Sequence, residues 1–296
     1  MSLCRIATRS SAQARAQSEF VGTLLEQSTP GLVVEYVYVD TQGDVNQTTP
    51  LHQMGGQGVF VKEVQRAVLD GRADVAVHSA KDLPSQPADG LIIGAVGKRR
   101  TPNDALVGKS LADLSQGATV ATGSVRRRAQ LMRIRPDLQF VDLRGNIQTR
   151  LSRVPENGAI VMAVAALEIL GLTSVIAEQL DLDIAVPMVG QGSVAVEART
   201  DDAVTREVLA RIDHAVSRRA VEAERAFLAE LGAGCSLPVG AHLSIDGVFR
   251  AFMANDDATD SVQIEGFIGD SDDHLMVGVA SAVEVRTRLA SNKDNS

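Results

Sequence analysis

Cysteine is scarce: Cys4 and Cys235 stand near opposite ends of the chain, which supports neither a disulfide framework nor a cysteine zinc site. A reducing cytoplasm is therefore expected. Long apolar runs are missing too, since the longest, Ala159 to Leu167, is far too short to cross a bilayer. The opening MSLCRIATRSSAQ carries no apolar stretch behind a basic head, so a soluble protein without an export signal is expected. His52, His78, His214, His242 and His274 form no ligand-spaced cluster, and no metal site is expected. The glycine-rich MGGQGVFVKE (54–63) lacks the Gly-Lys-Ser/Thr ending of a phosphate loop and any GxGxxG pattern, and reads as a flexible loop entering a helix. Excess positive charge is absent: the net charge of −8 argues against a protein that coats nucleic acid or an anionic membrane.

What is present is an ordinary globular composition, with 45% hydrophobic and 22% charged residues in 296. That length accommodates two or three domains. The first half alternates strand and helix signals in α/β order: a strand at Arg5 to Ala7, a helix from Ala12 to Gln27, the strand LVVEYVYV (32–39), a helix from Val59 to Asp70, and strands at Ala73 to Val77 and Leu91 to Val96. The charged, proline-containing KRRTPND (98–104) breaks the pattern, which restarts with strands near Thr119, Phe140 and Ile160 and helices near Arg126, Ile147 and Ala165. PMVGQG (187–192) is a second break. Two crossings predict two α/β lobes of the periplasmic-binding-protein kind around a hinged cleft, residues 1–97 with 190–210 forming one and 98–189 the other. After a helix at Ser217 to Leu231, the runs VGAHLSI, VFRAFMA and SVQIEGFIG and a closing helix at Val277 to Leu289 predict a small α+β domain over 214–296.

Four stretches can carry chemistry. HSAKDLP (78–84) follows a buried-type strand and sets Lys81 beside Asp82 where an α/β strand end faces a ligand crevice. A carboxylate there can stabilise a developing cation and pass protons. TGSVRRR (122–128) opens a helix that Thr122 or Ser124 can cap, and DLRGNIQTR (142–150) repeats the arrangement with Arg144 and Arg150. Eight arginines and no lysine fall between Arg126 and Arg153, a cationic patch in an acidic protein that suits a ligand bearing several carboxylates. Cys235, in GAGCSLPVG, reads equally as a small buried hydrophobe or an accessible attachment point.

From Arg5 through Gly240 the chain resembles the porphobilinogen deaminase family, on RIATRSS, HSAKDLP, TGSVRRR, LRGNIQTR, VGQG and GCSLPVG in that order. The last segment matches only in outline. The resemblance implies a hydroxymethylbilane synthase of tetrapyrrole biosynthesis, joining four porphobilinogen molecules into linear hydroxymethylbilane with loss of ammonia. It implies a dipyrromethane cofactor attached by a thioether to Cys235. It implies Asp82 as the catalytic residue, stabilising the azafulvene cation and assisting deprotonation after coupling. Asp44, Lys81, Asp82, Thr122, Ser124, Arg126, Arg127 and Gly145 would hold the cofactor, and Arg9, Ser11, Gln17, Lys81, Arg144 and Arg150 the incoming acid groups. A monomer acting on a small molecule is expected.

Three positions depart from the family pattern: Gln53 and Gln57 replace lysines, and Ile169 an arginine. A reading from another class is a two-lobed binding protein that keeps the crevice for an acidic small molecule and has lost turnover.

Overall fold

The computed structural model describes residues 1–40, 61–232 and 237–293. Asp44, Gln53, Gln57 and Cys235 lie outside the described residues, as does most of the glycine-rich stretch.

The chain opens with β1 (Leu3–Arg9), α1 (Ala12–Ser28), β2 (Val33–Val39), α2 (Lys62–Leu69), β3 (Val75–Ser79) and β4 (Leu91–Val96). It then leaves this sheet and builds a second from β5 (Asp104–Gly108), β6 (Thr119–Ala121), α3 (Val125–Ile134), β7 (Gln139–Val141), α4 (Ile147–Leu151), β8 (Ala159–Ala163), α5 (Val164–Glu168) and β9 (Ile176–Gln179). It returns to the first sheet as β10 (Val194–Arg199). The resulting five-stranded sheets have the orders β2-β1-β3-β10-β4 and β7-β6-β8-β5-β9. In each, four strands point the same way and one, β10 in the first and β5 in the second, runs antiparallel to both its neighbours.

Sequence explains the layering. The central strands VAVHS and AIVMA are buried along their whole length, as expected where helices cover both faces of a sheet. In the first lobe Ile6, Leu25, Val75 and Leu209 fill one side, and Val64, Val68, Ala76 and Leu91 the other. Ser11, Ser124 and Asn146 start α1, α3 and α4, each side chain accepting a backbone N–H three residues on. Two strands, β5 and β9, escaped the sequence reading. Both are short, and β9 is an edge strand, IAEQ, alternating between half-buried and exposed.

After α6 (Ala203–Ala210) and α7 (Ala215–Glu230) comes an antiparallel sheet of β11 (Val239–Leu243), β12 (Val248–Ala254) and β13 (Ser261–Phe267), closed by α8 (His274–Lys293). Phe227 of α7 is fully buried with its ring edge toward Phe249, 6.3 Å between centroids. Truncating such a core aromatic costs about 3–5 kcal/mol. This unit touches both lobes. Val221 of α7 packs with Ala80 and Leu83 of the first lobe, and Phe252 and Ala254 pack with Ala129 of α3 and Val186. No helix of the described residues is long and apolar enough to cross a membrane.

Candidate active site

Strand ends place the candidate groups. As β3 ends, the chain folds into a 3₁₀ turn, Ala80–Asp82, whose first N–H donates to the Ser193 carbonyl at 2.9 Å. That bond fastens the turn to the stretch leading into β10. Asp82 is half-buried there beside Lys81. From the second lobe, α3 starts just after β6 and delivers Arg126 and Arg127, while α4 follows β7 and delivers Arg150.

Asp104, the first residue of β5, is the anchor of the arginine pair. Fully buried, its carboxylate accepts from Arg126 at 2.7 Å, from Arg127 at 2.7 and 3.0 Å, and from the side chain of Gln191 at 2.9 Å. Burial alone would raise this carboxyl, but Arg126 and Arg127 outweigh it and hold it well below the usual carboxylate range. The arginines also donate to the backbone carbonyls of Val186, 2.6 Å, and Val161, 3.1 Å. Sequence counted both as ligand cations; the structure adds an internal counter-ion that positions them.

The balance of charge nevertheless stays positive. Among the described residues, Arg127 and Arg150 act on Lys81 as cations against Asp82 and Asp104, Arg127 and Arg144 act on Arg150 against Asp82, and Arg126 and Arg127 share Asp104. Lys81 is half-buried as a residue, with its ammonium enclosed. Burial first, then Arg127, pushes it down to about 8, while Asp82 and Asp104 pull the other way. Arg150 falls to about 10 by burial and then Arg127, with Asp82 opposing. A site whose cations depress one another is prepared for an anionic ligand, since each added carboxylate relieves that repulsion. The buried Nε of Arg126 has no hydrogen-bond partner among the described residues. An orphaned donor in a cationic pocket fits a group carrying several carboxylates.

The other expected residues are placed as follows. Thr122 is buried at the entrance to α3, its hydroxyl accepting from the Ser124 N–H at 3.2 Å, and Ser124 is the cap. Gly145, at φ +112°, turns the chain so that its carbonyl accepts from Arg150 Nε at 2.8 Å. Gln17 exchanges hydrogen bonds with the Ser79 hydroxyl at 2.8 and 3.2 Å, just before the Asp82 turn. Ser11 caps α1, and Arg9 ends β1 half-buried. Ile169 is half-buried at the end of α5. Asp104 and Gln191 were missed from sequence. The available signals were a lone carboxylate that ends the first break and opens an apolar strand, and a glutamine between two glycines in the second.

A family model described as the porphobilinogen deaminase dipyromethane cofactor binding domain matches residues 4–207, and one for the porphobilinogen deaminase C-terminal domain matches 218–287. A porphobilinogen deaminase of Geobacter sulfurreducens is 40% identical over 285 residues, covering 94% of this chain and 89% of its own. One from a Roseiflexus species is 43% identical over 279 residues, covering 93% and 88%. Another, from Nitratidesulfovibrio vulgaris, is 45% identical over 251 residues, covering 82% and 79%. Among solved structures, a nutrient binding protein from Burkholderia cenocepacia bound to methionine is similar at 14% identity with a TM-score of 0.44, covering 71% of this chain and 91% of that one. The order of motifs, the two model matches and relatives of this identity along nearly the whole length agree: the chain belongs to the porphobilinogen deaminase family.

Proposed function

We propose that this chain is a working hydroxymethylbilane synthase in which Asp82 carries the catalytic proton and charge chemistry. It joins four porphobilinogen molecules, releasing ammonia at each addition, and one water supplies the hydroxymethyl oxygen of the linear hydroxymethylbilane. The observation that carries the reading is the position of Asp82: a carboxylate on a turn fixed by Ser193, acting on Lys81 and Arg150 inside a pocket with excess cations.

Those residues divide the work by charge. When the substrate amine departs, positive charge develops on the carbon it leaves, and a fixed carboxylate at that point stabilises it more than the neutral ground state. The Asp82 carboxylate then accepts the proton released from the pyrrole ring after the new bond forms. Lys81, Arg144 and Arg150 bind the acetate and propionate of incoming substrate, with Arg9, Ser11 and Gln17 at the edge of the same crevice. Lys81, Asp82, Thr122, Ser124, Arg126, Arg127 and Gly145 would hold a dipyrromethane, with Asp44, and Cys235 would attach it by a thioether. When bound, that group supplies the primer end on which the chain is built.

The two five-stranded sheets and the antiparallel unit support a domain division into residues 1–97 with 190–210, 98–189, and 214–296, the last carrying Cys235. A cytoplasmic monomer is the setting that fits two distant cysteines and a small-molecule substrate. The binding-protein alternative is not favoured by relatives that bear an enzyme's name along most of the chain.

Intact-protein mass spectrometry tests the reading. Protein expressed with porphobilinogen available should be heavier than the polypeptide by two pyrrole units, and added substrate should produce a ladder of further single units. A bare polypeptide mass under both conditions would overturn it.

A further inference from the structure

Gln191 lies in the second crossing between the lobes and is 1% exposed. Its flanking glycines explain the confinement. A Cβ on Gly190, at φ +72°, would stand 3.0 Å from Ala80 of the catalytic turn, and one on Gly192, at φ +91°, 2.6 Å from the Arg100 carbonyl of the first crossing. The second crossing is thus pressed between the turn that bears Asp82 and the first crossing. Only glycine meets both demands.

Within that space the Gln191 amide uses both of its ends. Its Oε1 accepts from Lys81 Nζ at 3.4 Å, and its Nε2 donates to the Pro102 carbonyl at 2.6 Å and to Asp104 Oδ1 at 2.9 Å. Its own backbone carbonyl accepts from Arg99 Nε at 2.8 Å. One side chain therefore touches the catalytic turn of the first lobe, the first crossing, and the carboxylate that orders Arg126 and Arg127 of the second lobe. An amide donates and accepts at the same time while staying neutral; an ionised carboxylate cannot donate, and a thioether makes neither bond well.

We propose that Gln191 is a positioning residue of the reaction, holding Lys81 and the Asp104-bound arginine pair in fixed relation across the hinge. This rests on the reading of the chain as a hydroxymethylbilane synthase, and it deepens that reading by assigning the link between the two halves of the anion site. Gln191 touches no reacting atom. It acts through Lys81 on one side and through Asp104 on the other.

Among the described residues, the charged groups facing Lys81 are Arg127 from α3, Arg150 from α4, Asp104 from β5 and Asp82 from its own turn. The Gln191 oxygen is a neutral acceptor that favours the ammonium against the two arginines. Removing it leaves the charged neighbours in place and makes the ammonium harder to keep. A purely structural glutamine would change stability without touching that titration.

The test uses Gln191→Met, close in volume and without either bond, and Gln191→Asn, which keeps a buried amide on a shorter arm. On the protein as purified, trace acetylation by acetic anhydride from about pH 6 to about pH 10, read peptide by peptide by mass spectrometry, reports the Lys81 titration directly. In both variants its half-point should fall by roughly half a pH unit relative to wild type, with exposed Lys109 unmoved. The alkaline limb of kcat/KM should move to lower pH in parallel. A Lys81 half-point that stays at the wild-type value in a folded variant overturns the proposal. Should Gln191→Met fail to fold, Gln191→Asn decides alone. Failure of wild type to make product sinks the enzyme reading, whereas product from wild type with an unmoved Lys81 titration sinks only the role of Gln191.

Discussion

Arg99 grips Glu224 with both arms of its guanidinium, at 2.5 and 3.1 Å, and so ties the first crossing between the lobes to helix α7 of the C-terminal unit. Glu224 is fully buried, and its two oxygens also accept the backbone N–H groups of Gly190 at 2.7 Å and Leu243 at 2.9 Å. One carboxylate thereby joins both crossings to the unit that carries the Cys235 segment.

That junction makes stability depend on pH in a defined direction. Burial would raise the Glu224 carboxyl, but Arg99, and His242 3.3 Å away, bring it to about 2 against an ordinary 4.5. A lowered acid contributes stability that is complete above pH 4.5 and is lost as pH falls toward 2, on the order of 3 kcal/mol in all. Glu224→Gln removes that contribution and leaves Arg99 buried beside a neutral group, a loss of about 3–5 kcal/mol at neutral pH. Urea denaturation at neutral pH and near pH 3 checks both statements. Equal loss at the two pH values would contradict them.

Asp82→Ala should abolish product formation, a fall of at least about 100-fold, while leaving the fold intact. The residue is half-buried on a turn whose backbone bond to Ser193 does not involve its side chain. Rate measurement alongside circular dichroism separates the two effects. An unchanged rate would remove Asp82 from the mechanism.

Legibility of the site in the sequence followed the range of the contacts. Lys81 and Asp82 were readable because a strand end and its following turn are local, and Ser124 as a cap was readable for the same reason. The arginine excess between Arg126 and Arg153 was visible as composition. Its counter-ion was not, because Asp104 reaches Arg127 through the packing of β5 beside β8, a pairing no local pattern announces. Gln191 was hidden likewise: a hinge glutamine reads as a loop residue until three partners close on it. The fold class was legible from alternating signals, whereas β5 starts at the last residue of the charged KRRTPND break and β9 is a half-polar edge strand, IAEQ.

If Lys81 holds substrate as proposed, substrate affinity should be sensitive to alkali. Burial and then Arg127 hold it near 8, so it loses its charge as pH rises past that value, and a substrate with two carboxylates loses a cationic partner. A charged contact of this kind contributes about 1.5–3 kcal/mol, which sets a rise in KM of roughly 10-fold to 100-fold once the lysine is neutral. Lys81→Arg keeps its charge throughout and should give a KM that stays level over the same pH range. A KM that climbs equally in both proteins would assign the effect elsewhere.

Gly240, five residues beyond Cys235, sits where the C-terminal sheet meets the second crossing. A Cβ there would come within 2.7 Å of the Val186 carbonyl and 2.8 Å of the Pro187 carbonyl. Val186 in turn accepts from Arg126 and Gln130, so it cannot retreat without disturbing the arginine that faces Asp104. Gly240→Ala should therefore cost about 1–3 kcal/mol and weaken substrate binding together with stability. Gly266→Ala in β13, where a Cβ meets nothing within 4 Å, is the matched control and should be close to neutral in both measurements. If the two alanine variants melt alike, the close approach of β11 to the crossing is not what holds the C-terminal unit in place.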